Sequence, residues 1–101
     1  MKEYEKYLIK ESTSYPIEKV AKEIAKLTDN NSHTEAVKLG CEWLGLDMEV
    51  RELDRIIYRI ERNGQISTED KRTRDKYYDR MMATAEDELS ASDYKKFHNA
   101  F

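Results

Sequence analysis
Residues 48–66 read MEVRELDRIIYRIERNGQI, and their spacing decides the fold class. Val50, Leu53, Ile57 and Ile60 recur at steps of 3, 4 and 3, which places them along one side of an α-helix. The run is under three heptads, so it predicts a bundle helix and not a free coiled coil. Asp47 stands in a capping position before it, and Asn63-Gly64 stops it because Gly accepts the left-handed conformation. Gln65-Ile66 then crosses to Ser67-Thr68-Glu69-Asp70, a second helix start. The helix that follows is expected to reach about Leu89, with Tyr78, Met81, Met82, Ala85 and Leu89 in register. Two long helices on a short loop predict an antiparallel hairpin, about 48–63 and 68–89, at the centre of the fold.

Shorter helices extend the pattern in both directions. Tyr4, Tyr7 and Leu8 suggest an amphipathic turn or two over residues 3–11. Ser12-Thr13-Ser14-Tyr15 breaks it, and Pro16 suits the start of a helix that would bury Ile17, Val20, Ala21, Ile24 and Leu27. Thr28-Asp29-Asn30-Asn31 ends that helix. Ser32-His33-Thr34-Glu35 fits a capping box, ahead of a helix burying Ala36, Val37, Gly40, Trp43 and Leu44. Gly40 sits in mid-helix, where it costs about 1 kcal/mol relative to Ala, and points to a close helix–helix contact. Gly45 supplies the stop. Ser90 to Asp93 caps a last helix carrying Tyr94, Phe97 and Phe101. The expectation is an all-α single domain, residues 1–101, of about five or six short helices.

Composition narrows the function. The chain has 101 residues, 39% apolar and 39% charged, with three Gly and one Pro, too few turn residues for a hairpin-rich β fold. So polar a composition borders on disorder, but ten aromatics (seven Tyr, one Trp, two Phe) count against it. A small core of this kind is expected to gain from self-association, as a homodimer. The aromatics crowd the ends, with Tyr4, Tyr7 and Tyr15 near one and Tyr94, Phe97 and Phe101 near the other. They are read as terminal helices closing the bundle, or as an interface. A single cysteine, Cys41, excludes an internal disulfide and suits a reducing compartment. The N-terminal residues show no apolar signal core, and no run approaches membrane-spanning length. The expected location is the cytoplasm.

No catalytic pattern emerges. His33, His98 and Cys41 are far apart and form no metal-binding motif, so neither cofactor nor metal is expected. Cys41 reads as a buried small residue, and the glycines are scattered and form no phosphate loop. A helix-turn-helix over residues 17–45 fails, because its reading helix would offer Lys38 as its one base beside Glu35, Glu42 and Trp43. The protein is expected not to be an enzyme.

The one asymmetry is in arginine. All seven arginines lie in residues 51–80, where nine bases face seven acids; both flanks are acidic and the whole chain carries a net charge of −3. Arg51, Arg55, Arg59 and Arg62 fall within an arc of about 80°, opposite the apolar arc. Arg72, Lys76 and Arg80 form a second row at four-residue steps, and Tyr58 stands beside the first. Arginine binds carboxylates and phosphates bidentately. These eight residues are therefore the candidate partner- or anion-binding set.

The favoured reading is a small adaptor, inhibitor or regulator that docks on a larger macromolecule, foremost a protein. Its size and terse connections also suit a phage or mobile-element product. One alternative is a binder of nucleic acid or a phosphate-bearing ligand, disfavoured by a pI near 5.5. Another is a structural homo-oligomer subunit, the stripe pairing with a neighbour's acids.

Overall fold
The computed structural model describes residues 16–101. Five helices follow one another: α1 (Ile17–Asp29), α2 (His33–Leu44), α3 (Asp47–Asn63), α4 (Thr68–Glu88) and α5 (Ala91–Ala100). No strand occurs among the described residues. The turn chemistry explains most of the boundaries. Gly45 and Gly64 close α2 and α3 at φ of 78° and 83°, a backbone region that other residues enter at a cost. Ser67 and Ser90 cap α4 and α5, each hydroxyl accepting from the backbone N–H three residues on, at 3.1 Å.

Two expected caps do not form. Ser32 makes no side-chain cap bond at α2, so the capping box with Glu35 is absent. At α3 the capping position is held by Leu46, and Asp47 is the first helical residue, where its charge still favours the helix N-terminus. The short helix expected over residues 3–11, with Tyr4 and Tyr7, lies outside the described residues, as does Tyr15.

The helix at the centre is α2. It buries Thr34, Ala36, Val37, Gly40, Cys41, Trp43 and Leu44, a spread too wide for one face, as expected of a helix covered on several sides. It packs against α1, α3 and α4, and α1 packs in turn on α5. The hairpin of α3 and α4 forms, but it is not the hub: of the helix pairs in contact, these two touch least. An aromatic chain completes the core. Trp43 stacks on Phe97 at 5.5 Å between ring centroids, Phe97 meets Phe101 edge-on at 5.4 Å, and Phe101 meets Tyr78 at 5.5 Å. It runs from α2 through α5 to α4. Every helix contributes to this one core, and the radius of gyration is 13.0 Å, what a packed chain of about 100 residues should show.

Candidate functional site
The arginine-bearing face of α3 divides into two groups. Arg59 donates from Nε and Nη2 to both carboxylate oxygens of Asp70 on α4, at 2.8 Å each. Arg80 on α4 donates from Nη1 to Glu49 on α3 at 3.0 Å. The two pairs lie at opposite ends of the hairpin in antiparallel register, and they bridge a gap that the backbones do not close. Both carboxylates are buried, Glu49 8% and Asp70 9% exposed. A buried carboxylate needs a partner, since leaving it unpaired is strongly unfavourable. The hydrogen bonds from Arg59 hold the Asp70 carboxyl below its usual range against the opposing effect of burial, and the Arg59 guanidinium is raised in return. These two arginines fasten α3 to α4. Both guanidinium side chains stay about half exposed while they do so, 47% for Arg59 and 50% for Arg80.

This clasp also accounts for the start of α4. Residues 68–76 contain no apolar side chain and most are exposed. They are tied down through Asp70 and through Arg74, whose side chain is 15% exposed and meets Asp75 at 3.2 Å.

The remaining candidates stay on the outside. Arg55 pairs locally with Glu52 at 2.7 Å, a contact that the three-residue spacing anticipates. The Arg62 guanidinium lies 5.7 Å from the centre of the Tyr58 ring. Arg51, Arg72 and Lys76 are exposed and make no ion pair or hydrogen bond among the described residues. One residue outside the candidate set joins it. Met48 is 77% and Tyr58 60% exposed, the two large apolar side chains most open to solvent among the described residues. Both stand on the arginine face. Met48, Arg51, Arg55, Tyr58 and Arg62 follow one another at steps of 3, 4, 3 and 4, a straight strip along the helix. The signal for Met48 was its phase with the arginines, masked because a methionine in an amphipathic helix is ordinarily taken for core.

Elsewhere the chemistry is quiet. Burial, then Glu49 and Glu42, pushes the Cys41 thiol up to about 12, so it remains protonated and a poor nucleophile. Among the described residues no group of three or more His, Cys, Asp or Glu is placed to hold a metal, and no helix is long and apolar enough to cross a membrane. His33 is exposed. It borders two depressions, of about 450 and 410 Å³, which also share Lys71 and Arg74. Comparison of the chain with family models, curated proteins and solved structures returns no match.

Proposed function
We propose that the protein is a non-enzymatic interaction module that docks the outer face of α3 on an acidic surface of a larger protein. The observation carrying this reading is the exposure of Met48 and Tyr58, 77% and 60%, in phase with Arg51, Arg55 and Arg62. Tyr, Met and Arg are the types enriched at the cores of protein interfaces. Their spacing is that of anchors by which a helix lies in a partner's groove. From Met48 to Arg62 the strip is about 21 Å long, at 1.5 Å per residue. One helix face covers less than the ~800 Å² per partner of a standard interface, which suits a transient regulator or adaptor.

Charge chooses the partner. With Arg59 and Arg80 held by Asp70 and Glu49, the cations left for a ligand are Arg51, Arg62, Arg72 and Lys76, with Arg55 shared with Glu52. That is too dilute a set for a nucleic-acid backbone, whose binders are strongly basic, but it is well matched to scattered carboxylates. Two copies of the strip would repel, so self-association, if it occurs, uses another face.

The test is native mass spectrometry of protein purified gently at low salt, followed by affinity measurements on the bound species. A co-purifying acidic protein, whose affinity falls at least about tenfold with Arg51→Glu/Arg62→Glu and with Tyr58→Ala while the fold survives, supports the reading. Retention of a nucleic acid with steep salt dependence would overturn it in favour of phosphate binding. Undiminished binding by the double variant would remove α3 from the interface.

A further inference from the structure
Arg59 belongs to the docking strip by phase and is withheld from it by contact. With Arg51, Arg55 and Arg62 it falls within the arc of about 80°, and its side chain is 47% exposed. Yet Nε and Nη2 both donate to Asp70, at 2.8 Å each. That carboxylate offers Arg59 what an acidic partner would offer, a bidentate acceptor.

Little else holds Asp70 in place. It stands in the first turn of α4, and residues 68–76 carry no apolar side chain. Ile66 before them and Tyr77 after them, both half-buried, are the nearest apolar anchors. Among the described residues, Arg59–Asp70 is the one side-chain hydrogen bond or ion pair that joins this stretch to another helix. Arg74 pairs with its neighbour Asp75, so that pair travels with α4, and what opposes release there is the packing of the Arg74 stem. The other half of α4 is anchored differently. Met81, Met82 and Ala85 are buried, and Arg80 holds Glu49 at 3.0 Å. Stretches with few buried apolar contacts open ahead of the whole fold. Opening here returns both Asp70 and Arg59 to water, so neither is left as a buried charge without a partner.

We infer that Asp70 is a tethered competitor for the docking strip: it occupies Arg59 until an acidic partner displaces it, and residues 68–76 loosen as it leaves. This rests on the docking of α3 proposed above and adds a threshold to it. A carboxylate on the same chain faces Arg59 at a high effective concentration, so a single free acid does not displace it. A partner already held by Arg51, Arg55 and Arg62 brings its next carboxylate at a comparable concentration. Displacement then completes a row of four arginines along α3.

Two readouts test it. Amide hydrogen exchange of the full chain reports the opening: amides 72–76 should be at least about 100-fold less protected than those of Met81–Ala85, with little dependence on low urea, as a small local opening requires. Affinity for an acetylated, amidated hexaglutamate peptide at low salt reports the masking. Asp70→Asn keeps the shape, removes the competing charge and should bind the peptide about three- to fivefold more tightly than the parent. Arg59→Gln/Asp70→Asn should return to within about twofold of the parent. Asp79→Asn, the same change of charge at an exposed position of α4, should bring no such gain. A residue that merely positioned α3 would weaken binding when changed. Exchange of amides 72–76 only together with Met81–Ala85 would overturn the inference. So would an Asp70→Asn affinity at or below the parent's, or one equalled by Asp79→Asn. The docking reading fails separately, and takes the masking with it, if Arg51→Glu/Arg62→Glu leaves the peptide's affinity unchanged.

Discussion
Gly40→Ala is the substitution whose sign the packing decides against local propensity. In an isolated helix the change should stabilise by about 1 kcal/mol. Here Gly40 lies in the middle of α2, where α2 meets both α4 and α5. A Cβ built at Gly40 would stand 2.5 Å from the Met81 sulfur, 3.0 Å from Phe97 Cζ and 3.2 Å from Phe101 Cζ. Relaxed non-bonded contacts lie near 3.5–4.0 Å, so the methyl intrudes on Met81 by roughly 1 Å. Methionine is the most adaptable neighbour it could meet, but Met81 and Phe97 are both 0% exposed, and Phe97 cannot yield without disturbing its stack on Trp43. Overpacking of this kind costs about 1–3 kcal/mol, occasionally more.

Set against the gain in propensity, the net expectation is a loss of about 0–2 kcal/mol. Thermal unfolding followed by far-ultraviolet circular dichroism should register it as a drop of about 4–8 °C per kcal/mol. A second variant isolates the cause. Met81→Ala alone should cost about 2–5 kcal/mol through the cavity it leaves. In Gly40→Ala/Met81→Ala the new methyl occupies part of that cavity, so the double loss should fall short of the sum of the singles by at least about 1 kcal/mol. A higher Tm for Gly40→Ala, or additivity within about 0.5 kcal/mol, would refute the reasoning.

Three further outcomes are expected. With its thiol raised from 9.0 to about 12, Cys41 keeps its proton in the fold and loses it in the unfolded chain. Stability should therefore fall between pH 9 and about 12, and Cys41→Ala should flatten that part of the denaturation-versus-pH curve. Asp70 is depressed by Arg59, so its contribution is present above its ordinary value of 3.8 and lost as pH falls below it. Asp70→Asn should accordingly show a shallower acid limb than the parent in urea titrations. Phe97→Ala, at a position 0% exposed, should lower stability by about 3–5 kcal/mol, read as the midpoint shift in guanidinium unfolding.

The helices were legible where chain-local chemistry sets them. Gly45, Gly64, Ser67 and Ser90 mark ends that any packing would respect. The apolar phases name Ile17, Val20 and Ile24 of α1, Leu53 of α3 and Phe97 of α5, all buried, but miss Ile56, 1% exposed, while Val50, Ile57 and Ile60 are only half-buried. What the sequence hid was set by partners distant in the chain. Ser32-x-x-Glu35 satisfies the capping pattern, yet the backbone of Ser32, at φ −92° and ψ 57°, turns away from the extended geometry that a capping serine needs. The polar start of α4 gave no sign of burial, because Asp70 is buried by an ion pair with Arg59, eleven positions away. The hub role of α2 was likewise obscured. Its small residues, Ala36, Gly40 and Cys41, weigh little in a hydrophobic count but let three neighbours approach.

The division among the arginines bears on how such a face could be selected. Arg59 and Arg80 act within the chain, each closing on a buried carboxylate at one end of the α3–α4 hairpin. Their effect is to hold α3 beside α4, which fixes the direction of the outer strip. Arg51, Tyr58 and Arg62 are then displayed on a rigid helix whose backbone does not have to be ordered on binding, which lowers the entropic cost of association. A stripe meant only for solubility has no need of that fixation, nor of Tyr58 and Met48 open to water, where glutamate or lysine would serve better. Structural clasp and proposed recognition strip thus share one run of arginines, separated by where each one falls around the helix.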